Sequence, residues 1–574
     1  MSLHDSRPLA AAVAGPDQGR SPLILTWWAA LWIGLFGNWP LWQRMAGMPD
    51  FDGARGTIFI AVFAGIVIMV LGALFSLLAW RVAVKPLIAI LLLMTAPLAY
   101  FIGSYGVVID STMITNALQT DVRETRDLLG WGLVVHLVVI ALLPLLWLWR
   151  QRVRDTRWFK RLGWNLASVA LALLAGVGLA ATRTADMAST LRNHKVLTKM
   201  VSPVNALWAT GALAVQKTRT PKGPPQVVGA DAHLAPRAAG TKPPLVLLVV
   251  GETARSANFA LNGYDRPTNP ELSQLPVLSY REVASCGTST AASLPCMFSH
   301  LGREVFVDHP GNQETLLDVL QRAGLAVLWL DNQSGCKGVC DRVPNAQAIN
   351  PARPDHPLPA GLCGSDGECF DEAMLHDLDA RIAGLDPQRA ARGVVLVMHQ
   401  MGSHGPAYFK RTPDERKPFK PECRSSALQQ CPIDQVRNAY DNTIAYTDHV
   451  LSQAIQWLGR QEGQFDPSLL YVSDHGESLG ENNLFLHGMP YALAPKFQKH
   501  VPLVMWLPPA TRQSQRLDEA CLKKRLDMPL SHDGLYHTVL SLSGVQTALY
   551  RKDWDWVAAC RQSRIEAAAP ATPQ

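Results

Sequence analysis

The sequence predicts two fold classes in one chain: an α-helical transmembrane domain of five helices, then an α/β soluble domain with a mainly parallel sheet. Three observations predict it. Long apolar runs dominate residues 1–216 of the 574. From residue 245 onward, short runs of branched apolar residues alternate with helix-like segments. Several of those runs end in a carboxylate or a histidine, and in open parallel sheets ligands gather beyond the carboxyl ends of the strands.

Residues 1–22 are polar and are expected to form a cytoplasmic tail. Five apolar segments follow, at 23–39, 57–80, 87–108, 130–149 and 162–181. Each approaches or exceeds the ~20 residues that a helix needs to cross a bilayer. A cleaved leader is not followed by four more such segments, so the first is retained. The loop after the second segment carries Arg81 and Lys85, and the loop after the fourth carries Arg150, Arg152, Arg154, Arg157, Lys160 and Arg161. Positive loops stay inside, which puts the N-terminus in the cytoplasm and everything after Ala181 outside. The outward loop at 110–127 holds Asn116, Gln119, Thr120, Asp121 and Glu124. It reads either as a solvated interfacial helix or as a contact for a lipid headgroup, whose ammonium Glu124 would pair. Residues 182–244 read as interfacial helices and a Pro-, Gly- and Ala-rich linker.

The soluble domain is expected at 245–563. Strand-like runs fall at 245–250, 325–330, 394–398, 469–472 and 502–507, with helix-like segments at 314–323, 371–383 and 434–458. That alternation predicts a sheet covered on both faces. The first run, Leu-Val-Leu-Leu-Val-Val, is apolar at successive positions, as in a strand buried on both sides. Residues 564–574 are Ala- and Pro-rich and are expected to be a disordered tail.

All ten cysteines lie between Cys286 and Cys560. An even number in close sequential pairs predicts disulfides in an oxidising compartment. The natural pairing is 286–296, 336–340, 363–369, 423–431 and, by elimination, 521–560. No CxxC spacing suggests a zinc ribbon. The net charge of +6 is modest for this length, and no basic surface interleaved with aromatics points to nucleic acid.

Chemistry concentrates where the runs end. The first delivers Gly251-Glu252-Thr253, and the third delivers His399 with His404 five residues on. The fourth delivers Asp474-His475-Gly476-Glu477, with His487 twelve residues beyond His475. Carboxylate oxygen with imidazole nitrogen suits zinc or manganese without thiolates. Residues 285–296 form a hydroxyl-rich turn leading into a short helix, closed by two cysteines. A hydroxyl there is either a cap, or a nucleophile whose pKa a metal lowers at a phosphate-receiving helix N-terminus.

At these residues the sequence resembles the membrane phosphoethanolamine transferases, of the kind that modify lipid A and confer polymyxin resistance. The matching stretches are Val-Val-Gly-Glu-Thr-Ala-Arg, Ser-Cys-Gly-Thr-Ser-Thr-Ala, Pro-Cys-Met-Phe-Ser, Gly-Cys-Lys-Gly-Val-Cys, Met-Gly-Ser-His-Gly-Pro and Ser-Asp-His-Gly-Glu-Ser-Leu-Gly-Glu-Asn. In the membrane half, Asn-Ala-Leu-Gln-Thr-Asp at 116–121 also matches. The resemblance implies an alkaline phosphatase or sulfatase type of soluble domain. It implies Thr290 as nucleophile, with Glu252, Asp474 and His475 joining Thr290 around zinc, one ion or two. His404, His487 and Lys337 would meet the phosphoethanolamine group, with His399 a further active-site histidine and Asn116, Thr120 and Glu124 contacting substrate. The implied partners are a phosphatidylethanolamine donor, a lipid A acceptor and the bacterial inner membrane, with the chain acting as a monomer and binding no nucleic acid. Two rivals remain: a related transfer such as that of phosphoglycerol, and a non-catalytic membrane-anchored sensor. A sulfatase would need Cys-x-Pro-x-Arg, which neither Cys286 nor Cys296 provides.

Overall fold

The computed structural model describes residues 19–119, 122–219, 223–237, 240–309, 312–364 and 367–562. Both expected tails lie almost wholly outside the described residues. The chain divides into two compact units. One comprises Met1–Gly103 with Trp131–Trp208, the other Ser104–Gly130 with Ala209–Gln574. The polar loop at 110–127 therefore belongs to the same unit as the soluble domain.

Among the described residues four helices are long and apolar enough to cross a membrane: Gly53–Leu77, Val84–Tyr105, Trp131–Arg150 and Trp158–Ala181. They answer to four of the five expected segments. The first segment is a shorter apolar helix, Pro22–Gly37, which stops at Asn38 before a second helix, Trp39–Ala46. Asn38 is buried, and its amide donates to the carbonyls of Ile33 and Ser202 while its oxygen accepts the Ser202 N–H. A side chain occupied with backbone groups in this way competes with the helical ladder and ends it. The stretch at 182–219 is helical over Thr184–Asn193, Lys195–Thr198 and Val204–Arg219.

The second unit is built on a mixed eight-stranded sheet. Its strands are β1 (Pro244–Gly251), β2 (Val277–Ala284), β3 (Ala326–Asp331), β4 (Asn345–Gln347), β5 (Val394–His399), β6 (Asp466–Ser473), β7 (His500–Trp506) and β8 (Leu530–Ser531). Their order across the sheet is β8-β2-β7-β6-β1-β5-β3-β4. Only β7 runs antiparallel to its neighbours. Strand β1 is central, and its residues 245–250 are at most 2% exposed, as an apolar run on both faces requires. Val246, Leu248 and Val250 join Leu320, Trp329, Leu535 and Val539 in one apolar core. Burying each such side chain contributes about 1.5–3 kcal/mol before entropy. The helix Ile433–Gln461 packs on β6.

Register decides where the chemistry goes. Val250 pairs with His399 and with Val472, Gly251 with Ser473, and Asp331 with His399. Strands β3, β5, β1 and β6 thus end level, on one edge. All five expected disulfides form, including Cys521–Cys560.

Candidate active site

Glu252 follows the last residue of β1, and the chain turns sharply behind it. Thr253 sits at φ 60, in the left-handed region that a β-branched residue rarely adopts. Three bonds hold it there. Its N–H donates to Asp474 Oδ1 at 3.2 Å, its hydroxyl donates to Glu252 Oε1 at 2.6 Å, and Tyr440 donates to its carbonyl at 2.8 Å. Strain kept by several bonds at one point is characteristic of functional sites.

Asp474 and His475 follow the last residue of β6. The His475 Nδ1–H donates to the Gly476 carbonyl at 2.9 Å, which leaves Nε2 facing the carboxylates. That Nε2 lies 3.3 Å from Glu252 Oε1 and 3.4 Å from Asp474 Oδ2. Thr290 is the first residue of the helix Thr290–Met297. Its hydroxyl is 3.1 and 3.2 Å from the two Glu252 oxygens and 3.5 Å from His475 Nε2. The Cys286–Cys296 disulfide closes this turn.

Glu252, Asp474 and His475 are fully buried, and each offers a ligand atom within 4.8 Å of the others. Asp474 Oδ2 is buried with no hydrogen-bond partner among the described residues. Burial and the Glu252 charge push Asp474 up to about 6. Burial opposes the charge on His475, but Asp474 and Glu252 outweigh it and raise the imidazole to about 10. Burial likewise opposes the charge on Glu252, yet His475, His404 and His487 hold it well below the usual carboxylate range. The cluster thus favours a positive charge at its centre. Two carboxylates, one imidazole nitrogen and a hydroxyl fit a zinc-type cation.

Of the other expected residues, His487 and His404 lie beside this cluster, and the rest make contacts of their own. The His487 ring centroid is 4.3 Å from His475 and 5.8 Å from His404, which is buried. His487 Nδ1 stands 3.4 Å from the buried Glu477. Lys337 donates to Ser334, to its hydroxyl at 2.9 Å and its carbonyl at 3.1 Å. His399 is buried, but its Nδ1 bonds Asp331 at 3.1 Å and its ring lies against Trp329, not among the ligands. Asn116 sits on the helix Ser111–Gln119, which packs against Thr290–Met297. Thr120 and the side chain of Glu124 lie outside the described residues.

Two residues enter the site without having been expected, Gln333 and His532. Gln333, just beyond the end of β3, donates to Glu252 Oε2 at 3.1 Å; the same strand-end signal that marks Glu252 would have marked it. His532 accepts the Cys286 N–H on Nδ1 at 3.0 Å and bonds the Ser473 carbonyl through Nε2 at 2.9 Å. Burial depresses it to about 3, so it is a neutral bridge from the Thr290 turn to the end of β6. No local pattern announces it.

Fold and site together define an enzyme of the sulfatase-like class carried on a helical membrane domain. Residues 244–545 match the family described as Sulfatase, and residues 67–218 match the one described as Phosphoethanolamine transferase EptA/EptB. The chain is 41% identical to phosphoethanolamine transferase EptA of Salmonella typhimurium, over 83% of this chain and 85% of that one. It is 37% identical to phosphatidylethanolamine transferase Mcr-1 of Escherichia coli, over 92% and 95%. The solved structure of lipooligosaccharide phosphoethanolamine transferase A from Neisseria meningitidis, an integral membrane protein, matches with a TM-score of 0.87. Identity there is 34%, over 95% of this chain and 99% of that one. The chain belongs to the EptA family of phosphoethanolamine transferases.

Proposed function

We propose that this chain transfers phosphoethanolamine from phosphatidylethanolamine to a phosphate of lipid A, through a covalent intermediate on Thr290, and so confers resistance to polymyxin. The observation that carries the reading is the Thr290 hydroxyl, held at a helix N-terminus 3.1 Å from Glu252 within a buried Glu-Asp-His set.

Glu252, Asp474 and His475 would hold zinc, one ion or two in turnover, and the bound ion supplies a Lewis acid that lowers the pKa of a ligated hydroxyl. Thr290 Oγ1 attacks the phosphorus of the donor. The Oγ1–P bond forms, the bond from phosphorus to the diacylglycerol oxygen breaks, and diacylglycerol leaves with the hydroxyl proton. His404, His487 and Lys337 offset charge developing on the phosphoryl oxygens, aided by the amides of the helix N-terminus. A lipid A phosphate oxygen then attacks the same phosphorus, and Thr290 departs with the acceptor's proton. Such an exchange predicts ping-pong kinetics. Asn116, Thr120 and Glu124 receive the headgroup, and His399 supports the site through Asp331.

The basic loops put the N-terminus in the cytoplasm and the catalytic unit in the periplasm, with Pro22–Gly37 as the fifth span of an inner-membrane protein. Confinement to the bilayer raises the effective concentration of both lipids at the site. The chain acts on these lipids as a monomer.

Mass spectrometry of lipid A from cells carrying the wild type or Thr290→Ala tests the reading. The wild type adds a phosphoethanolamine mass; the variant adds none while keeping the metal content of the purified protein. Continued addition by Thr290→Ala would overturn the nucleophile assignment.

A further inference from the structure

We infer that Asp127 and Arg411 form a buried clamp that positions the donor-binding face of the site. Asp127 lies on the short helix Val122–Leu128, in the same unit as the catalytic domain but far from it in sequence. Its side chain is 2% exposed, and the Arg411 side chain 3%. Arg411 Nη2 donates to Asp127 Oδ2 at 2.8 Å, and Lys410 pairs with the other carboxylate oxygen. The same guanidinium donates through Nε to the His404 carbonyl at 3.0 Å and through Nη1 to Glu368 at 3.1 Å.

These bonds make a chain from the 104–130 segment to the backbone of His404. The segment touches the site a second time, because Ser111–Gln119 packs against the helix that begins at Thr290. Asn116 on that helix lies beside Gly488, the residue after His487. Asp127 thus anchors a segment whose helix Ser111–Gln119 packs against the helix that begins at the nucleophile.

Two carboxylates and two cations balance, as burial demands, since an unpaired buried charge is strongly destabilising. Apolar packing would hold the segment equally well. What a guanidinium adds is direction, because its planar fork fixes several acceptors at once. Here those acceptors are Asp127, Glu368 and the His404 carbonyl. Asp127 and Arg411 are therefore positioning residues: they orient His404 and the segment bearing Asn116 toward the donor headgroup. The inference rests on the reading that His404 faces the transferred phosphoryl group.

The test uses the full chain in detergent micelles with phosphatidylethanolamine as donor and lipid A as acceptor. Asp127→Asn keeps shape and removes charge, while Arg411→Lys keeps charge and removes the fork. Each is expected to raise the donor KM about tenfold and, because His404 also offsets charge developing at phosphorus, to lower kcat about fivefold, with zinc content unchanged. The double variant should be no worse than the more severe single, because both cut one chain of contacts. Wild-type donor KM in Asp127→Asn, even with a lowered melting temperature, would overturn the clamp and leave a merely structural ion pair. A fall confined to kcat, or additive effects in the double variant, would also overturn it. Asp127→Asn carries the test alone if Arg411→Lys does not accumulate. Absence of transfer by the wild type would instead overturn the functional reading beneath it.

Discussion

Replacing Gly402 with alanine should damage the site through the backbone of Glu252, without substituting any candidate ligand. Gly402 follows β5 at φ +52, and a Cβ built there would stand 2.7 Å from the Glu252 carbonyl oxygen and 3.0 Å from its nitrogen. Asp371 fixes this turn by accepting the N–H groups of Met401 at 2.8 Å and Gly402 at 3.0 Å, so the turn cannot simply swing away. Two costs separate. Placing an L-residue in the left-handed region costs about 1–2 kcal/mol. Opening a 2.7 Å contact to ordinary van der Waals distance then moves the Glu252 backbone by several tenths of an ångström. A displacement approaching ~1 Å at a catalytic centre costs up to about 100-fold in rate, so a loss of roughly 10- to 100-fold is expected. Gly544→Ala is the control. Gly544 has φ +71 with nothing within 4 Å, so it bears the first cost and not the second. Donor turnover and bound zinc measured on the full chain should fall for Gly402→Ala and stay within about twofold of wild type for Gly544→Ala. Equal activity in the two variants would refute the close-approach argument.

Two further outcomes follow from the same structure. Removing the Cys286–Cys296 bridge with paired serines frees a loop of sequence separation 10, worth about 2.7 kcal/mol by loop-closure entropy. A lower urea midpoint should accompany loss of transfer, and unchanged stability would count against the bridge as a constraint on the Thr290 turn. The cluster around His449 should make stability depend on pH. Its Nδ1 lies 2.8 Å from Glu271 and its Nε2 3.3 Å from Glu372. Glu372 and then Glu271 raise His449 above its usual 6.5 against burial, so its contribution is complete below 6.5 and fades as pH rises through the raised value. His449 in turn holds Glu372 below 4.5, so that contribution is complete above 4.5 and fades as pH falls through the lowered value. The melting-temperature gap between wild type and His449→Gln should be widest between 4.5 and 6.5 and narrow in alkali. A gap constant with pH would refute the pairing.

Much of the site is readable along the chain because its candidate ligands follow strands directly. An apolar run ending in Glu252, and another ending in Asp474-His475, identify themselves by local pattern, and Cys286 and Cys296 flank Thr290 only a few residues away. His399 sits at such an end too, yet register turns it toward Asp331. Gln333 acquires its role only when β3 ends level with β5. His532 has no signal at all, because it bridges Cys286 and Ser473 from 246 and 59 residues away.

The same division runs through the fold. Composition suffices for membrane helices, a sheet buried on both faces and disulfides, since hydrophobic length, periodicity and cysteine spacing are local quantities. It does not contain the direction of β7, whose apolar run reads alike either way. It does not contain the stop at Asn38, which depends on Ser202 as well as on nearby Ile33, nor the membership of 104–130 in the catalytic unit. That last feature rests on Asp127 meeting Lys410 and Arg411, 283 and 284 residues later, and on Ser111–Gln119 packing against Thr290–Met297. Which residues were able to ligate, bond or pair was written in their side chains. Which of them meet at the ends of β1 and β6 was settled by strand register and long-range ion pairs, whose energies exist only once distant segments are brought together. The Glu252–Thr290 contact is where the two kinds of information coincide.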